Sequence, residues 1–119
     1  MPTIPNNSEI YHVSLDDFEQ KVIHASRQRP ILADLWAEWC PPCIVIAPIL
    51  AKVIEELDGR VALAKVEVDE DENMKLAGRY KVRGFPTIIL FQDGEEKARF
   101  SGAQPASFVY NFIHENAEF

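Results

Sequence analysis

The chain is short of cysteine, glycine and cationic side chains: two Cys, five Gly, and 12 Lys and Arg against 19 Asp and Glu in 119 residues. Each shortage excludes something. Two cysteines cannot build the multi-bridge framework of a small secreted domain. A formal charge of −7 argues against nucleic acid or an anionic membrane surface as the main partner, because both call for clustered Lys and Arg. No apolar run approaches the ~18 residues of a membrane helix. Low-complexity tracts, long Gly/Ser linkers and solenoid repeats are missing as well. Residues 1–9 form a polar, proline-bearing amino-terminal extension without the basic start, apolar stretch and cleavage site of a secretory signal. A cytoplasmic, monomeric protein is expected, with residues 10–119 as one domain of ordinary composition, 47% hydrophobic and 26% charged.

What is present alternates between two periods. Residues 10–13 read as a short strand, and Ser14 as a helix N-cap with Asp17 three residues on. Leu15, Phe18, Val22 and Ile23 then follow at helical spacing. Residues 31–37 are almost continuously apolar, as in a strand buried on both faces, with Asp34 the one interruption. A second helix is predicted over 41–57, with proline welcome in its first turn, Pro48 set to kink it and Asp58-Gly59 to end it. Residues 61–68 read as a strand and 73–80 as a short helix. Strands at 87–91 and 97–100 flank Asp93-Gly94, a hairpin signal. Phe108, Val109, Phe112 and Ile113 mark an amphipathic closing helix. The order β-α-β-α-β-α-β-β-α predicts an α/β fold: a parallel core sheet covered on both faces, with the terminal hairpin adding antiparallel edge strands. The acidic run at 67–72 reads as a solvated turn.

The chemistry sits where a buried strand meets a helix. Cys40-Pro41-Pro42-Cys43 occupies that junction, and sites in open α/β sheets form beyond the carboxyl ends of strands. Cysteines at i and i+3 of a first helical turn project to one side, so a disulfide is reasonable. As a staple it would be weak, about 2 kcal/mol against about 4.7 for a ~100-residue loop. Its value must be chemical. The helix amino terminus stabilises a thiolate at Cys40. A thiol of pKa ~8.5 is about 3% ionised at neutral pH, and one shifted to ~7 about half ionised. The resulting gain of roughly 16-fold in thiolate is offset about fivefold by lost nucleophilicity, leaving about threefold. Docking geometry must therefore contribute more of the rate than the shift does.

Other readings of the pair are weaker. One C-x-x-C supplies half of a structural zinc site, and His12, His24 and His114 lie far from it in ordinary surface or cap positions. No local signature of a cysteine hydrolase is present. No metal is expected. Asp34 is the second informative residue. A carboxylate in an apolar strand is expensive unless paired or protonated, so it is expected to be buried with a raised pKa and to accept the proton of Cys43, with Lys65 in the next strand as its partner. Gly84-Phe85-Pro86-Thr87 precedes an apolar strand, and Pro86 there either opens that strand or follows a cis bond.

Asp34-Leu-Trp36-Ala-Glu-Trp39-Cys40-Pro-Pro-Cys43, then Ala47-Pro48, Lys65, Val68-Asp69, Gly84-Phe85-Pro86-Thr87 and Ser101-Gly102-Ala103, resemble the thioredoxin family over about residues 10–113. The resemblance implies a thioredoxin fold, a central mixed sheet of order 1-3-2-4-5 flanked by four helices. It implies Cys40 as nucleophile, Cys43 as resolving thiol, Asp34 as buried proton acceptor and Pro86 as a cis-proline. Trp39, Phe85, Pro86 and Gly102 would line a groove for the substrate, beside Pro41 and Pro42. Protein disulfides would be the substrates, with no cofactor in the chain itself and electrons returned by a reductase of the thioredoxin reductase type that consumes NADPH. Two departures stand out: Pro41 where the family usually has Gly, and Ile44 where it usually has Lys or Arg. The first stiffens the bend, and the second removes a cation and enlarges the apolar rim. A disulfide reductase is the leading reading. A disulfide oxidase or isomerase, or a redox-linked chaperone (holdase) domain binding unfolded clients, are the alternatives.

Overall fold

A computed structural model describes residues 9–119. The polar extension expected at 1–9 therefore lies, except for Glu9, outside the described residues. Strands β1 (Ile10–His12), β2 (Ile31–Trp36), β3 (Ala62–Glu67), β4 (Thr87–Gln92) and β5 (Glu95–Ser101) form one sheet in the order β1-β3-β2-β4-β5. β1 and β2 both run parallel to β3, whereas β4 is antiparallel to β2 and to β5. This is the order that the family resemblance implies, and it leaves the hairpin only half an edge, where alternation alone expected both its strands to be edges. β4 is an inner strand, buried at five of its six positions, and only β5 is left at the rim. The alternating polarity of β5 suits that place, because one face of it meets water.

Residues alternate across β2, so its two faces feed two cores. Ile31, Ala33 and Leu35 join Phe18, Val22, Leu76, Ala77 and Phe91 on one face. Leu32 joins Ile46, Leu50, Leu63, Ile88, Val109 and Ile113 on the other. That second face is covered by α1 (Pro41–Leu57) and α3 (Ala106–Asn116), and the first by α2 (Met74–Arg79) and the segment before β2. Asp58, with φ 50°, and Gly59, with φ 88°, end α1, where left-handed backbone releases the chain toward β3. α1 continues through Pro48 to Leu57. Among the described residues no helix is long and apolar enough to cross a membrane.

The first helical segment departs from the α-helix its spacing predicts. Residues 15–17 form turns, Glu19–His24 winds as a π-helix, and Ala25–Arg27 closes as a 3₁₀ turn. Side chains from other elements take up its backbone groups. Asn73 Oδ1 accepts from the Leu15 amide at 2.8 Å, and the Tyr11 hydroxyl donates to the Lys21 carbonyl at 2.8 Å. Only half of the expected capping box forms, the Ser14 amide donating to Asp17 Oδ1 at 2.8 Å. Phe18 and Val22 are buried all the same. The apolar pattern secures burial of this segment, and tertiary hydrogen bonds choose its winding.

Candidate active site

Cys40 is the N-cap of α1 and Cys43 lies in its first turn, with Cα atoms 5.3 Å apart and a disulfide between them. The cap is made by sulfur. Cys40 Sγ accepts from the Cys43 amide at 3.2 Å. Pro41 and Pro42 have no N–H, so the Cys43 amide is the first donor this helix end can offer. Both cysteines are buried, Cys40 at 4% exposure and Cys43 at 2%, while Pro41 and Pro42 are exposed.

Asp34 is 1% exposed and its Oδ1 has no hydrogen-bond partner. It shares a face of β2 with Leu32, so it lies on the side that α1 covers. Burial pushes its pKa up to about 7, opposed only in part by the charge of Lys65. Lys65 stands beside it in the parallel register. The expected Asp34–Lys65 ion pair does not form, however, because Lys65 Nζ lies over the Trp36 ring, 5.1 Å from its centroid. A cation on an aromatic face keeps its charge with less desolvation than a contact pair in the core would need. Among the described residues Trp36 Nε1 is the other buried side-chain polar atom without a partner.

The residues expected to line a groove meet in pairs. Trp39, 61% exposed, sets its ring edge-on to Phe85 with centroids 5.9 Å apart. The Phe85–Pro86 peptide is cis. Pro86 is buried, and its carbonyl accepts from the Gly102 amide at 2.9 Å. Gly102 holds φ 84°, in a region that favours glycine, although nothing lies within 4 Å of where a Cβ would stand. Backbone geometry, and not crowding, calls for glycine there. Thr87 Oγ1 secures the same bend by donating to the Gly84 carbonyl at 2.7 Å.

Three neighbours of the site were given no role there from sequence, although Asp69 is among the residues that carry the resemblance. Asp69 belongs to the acidic run taken for a solvated turn, yet its Oδ2 accepts from Trp39 Nε1. Asn73 is buried and donates to the Glu67 carbonyl at 2.9 Å, holding this turn against the end of β3. Val45 is 57% exposed beside Ile44 at 53%. The first two depend on contacts across about 30 and 6 positions of chain, which no local pattern displays. Among the described residues no group of His, Cys, Asp and Glu is placed to hold a metal ion. The three histidines are exposed, as expected from sequence.

Two sulfurs joined at a helix cap, just beyond the carboxyl end of the central strand β2, define a thiol–disulfide exchange protein. Comparison with known proteins makes the class specific. A family model described as thioredoxin matches residues 9–115. A thioredoxin of Haemophilus influenzae is 38% identical over 109 residues, covering 92% of this chain and 98% of its own length. One from Acidithiobacillus ferridurans is 44% identical over 104 residues, 87% of this chain and 93% of the relative. The Pseudomonas aeruginosa thioredoxin is 39% identical over 110 residues, 92% and 98% of the two chains. This chain belongs to the thioredoxin family. It is a thiol–disulfide oxidoreductase of the protein-disulfide reductase kind, and the holdase alternative is not favoured. Membership implies protein disulfides as substrates, a reductase as partner and no cofactor beyond the protein's own sulfurs.

Proposed function

We propose that Cys40 is the attacking sulfur and Cys43 the resolving one. The observation that carries this order is the cap: the Cys43 amide donates to Cys40 Sγ, so the helix end stabilises negative charge on that sulfur alone. In the dithiol state the Cys40 thiolate attacks one sulfur of a substrate disulfide. An S–S bond forms between protein and substrate, and the other substrate sulfur leaves as a thiolate that takes a proton from water. Cys43 then loses its proton and attacks Cys40 Sγ, the mixed disulfide breaks, and the second substrate thiol departs. The substrate has gained two electrons, and Cys40–Cys43 is oxidised.

Asp34 is the acceptor of the Cys43 proton. With a pKa of about 7 it is neither permanently ionised nor permanently neutral at physiological pH, the condition for taking and returning a proton. Lys65 acts on it through space as a nearby positive charge. Trp39, Phe85, Pro86 and Gly102 line the substrate groove with Pro41 and Pro42. The domain of residues 10–119 works as a cytoplasmic monomer, reduced by an NADPH-consuming reductase and without nucleic acid or membrane partners. The excess of acidic over basic residues supports the last point. A Cys43→Ser variant tests the assignment. It should accumulate a covalent complex with insulin that dithiothreitol releases, while the parent reduces insulin catalytically when coupled to NADPH and thioredoxin reductase. Catalytic turnover by Cys43→Ser at the parent rate would refute the order.

A further inference from the structure

The surface around the disulfide is uneven in chemistry. Trp39, Ile44 and Val45 are three of the six large apolar side chains most exposed among the described residues, and all lie within five positions of a reacting cysteine. Ile44 and Val45 immediately follow Cys43 on α1, so exposed apolar surface continues from the redox pair along the helix. On the neighbouring flank, β3 delivers its acidic turn to the same end of the sheet. Asp69 is bonded to Trp39, and Glu67 feels the negative charges of Glu70, Glu38 and Asp69. Glu38 itself stands two positions before Cys40. No cation follows Cys43 to balance them.

From this we propose that Ile44 and Val45, with Trp39, form a docking ledge for a large apolar side chain of the substrate polypeptide next to its reacting cysteine. The occupant is a substrate segment that is apolar at that position and free of acidic residues, since the anionic flank repels Asp and Glu and attracts Lys and Arg. Continuity with the reactive sulfurs fixes what covers the ledge: anything bound there is already in line for exchange. Ile44 and Val45 are specificity residues and take no part in moving electrons. The inference rests on the reductase reading above and deepens it by naming the substrate class.

The test uses the dithiol protein and short peptides, each joined through its single cysteine to 2-mercaptoethanol by a disulfide. Leu or Ser stands beside the cysteine, and Lys or Glu two positions away. Burial of one leucine side chain corresponds to at least about a tenfold preference in kcat/KM for the Leu peptide over the Ser peptide. Ile44→Lys and Val45→Ser should each bring that ratio down several-fold, and the Lys-over-Glu preference should shrink as salt rises to about 1 M. Because each variant is read as a ratio of two substrates, a general loss of activity does not imitate the result. Equal rates for the Leu and Ser peptides, with bis(2-hydroxyethyl) disulfide reduced normally by the parent, would overturn the ledge and leave the reductase intact. Failure of the parent to reduce even that small disulfide would overturn both.

Discussion

The two ends of the sheet are finished differently. At the end where β2 and β3 begin, polar groups find partners. Buried Ser26 accepts from the Gly94 amide at 2.8 Å and donates to the Ile23 carbonyl at 2.7 Å, and its own carbonyl accepts from the Asp93 amide at 3.0 Å. Arg29 donates to the Gly59 carbonyl at 2.9 Å and Arg60 to the Leu57 carbonyl at 3.1 Å. At the other end, where β2 and β3 finish, Asp34 Oδ1 and Trp36 Nε1 are buried without partners, and Trp39, Ile44 and Val45 face water. One end follows the rules for stable folding. The other breaks them where the chemistry is, and the first end must supply stability that the second forgoes.

The contrast is broken most strongly at Asp34. Its carboxyl titrates at 3.8 when unfolded and about 7 when folded, so between those values the unfolded chain releases its proton first. Stability of the oxidised protein therefore falls as pH rises through that window, by roughly 4 kcal/mol in all, and is level above it. Asp34→Asn should remove the slope, leaving a protein about as stable as the parent at pH 3 and several kcal/mol more stable at pH 8 in urea unfolding. Its exchange rate should nevertheless drop, with a changed pH profile between pH 6 and 9. Unchanged rates across that range would deny Asp34 its role.

Ser26→Ala attacks the opposite end. It strands the Gly94 amide and removes two hydrogen bonds of a side chain in the core, which costs about 1–3 kcal/mol. Denaturant midpoints should register that loss, while kcat/KM for insulin reduction stays within twofold of the parent. A comparable loss of activity in the folded variant would mean that the two ends are coupled.

Pro41→Gly sharpens the contrast with a smaller effect. It restores one amide at the start of α1, adding a donor near Cys40 Sγ. The Cys40 thiol should ionise at lower pH, as followed by alkylation rate against pH. Exchange near neutrality should change by no more than about threefold, because thiolate fraction and nucleophilicity oppose each other. A thiol pKa unchanged or raised by the substitution would show that helix-end amides do not govern this sulfur.

Much of this architecture is legible without coordinates. Helix α1 spans Pro41–Leu57 as the apolar spacing and the Asp58-Gly59 stop require. Asp93 and Gly94 turn the hairpin with φ 56° and 81°, the left-handed pair that an Asp-Gly turn calls for. Asp34 stands out as the one charge in an apolar strand, and it is buried. The misses share one cause. The π winding of 19–24, the seat of Lys65 on Trp36 and the bond between Asp69 and Trp39 all depend on residues distant in the chain.

By itself the sequence determined the periods of burial, the helix ends, the hairpin and the place of the two sulfurs. Those follow from local sterics and from the repeat of apolar side chains, which act over a few neighbouring residues. Only the tertiary structure decided which groups would meet. Whether a lysine pairs with a carboxylate or lies on an indole, and whether an acidic turn is merely wet or holds a tryptophan beside a disulfide, is settled by packing and desolvation between strands that no stretch of sequence contains.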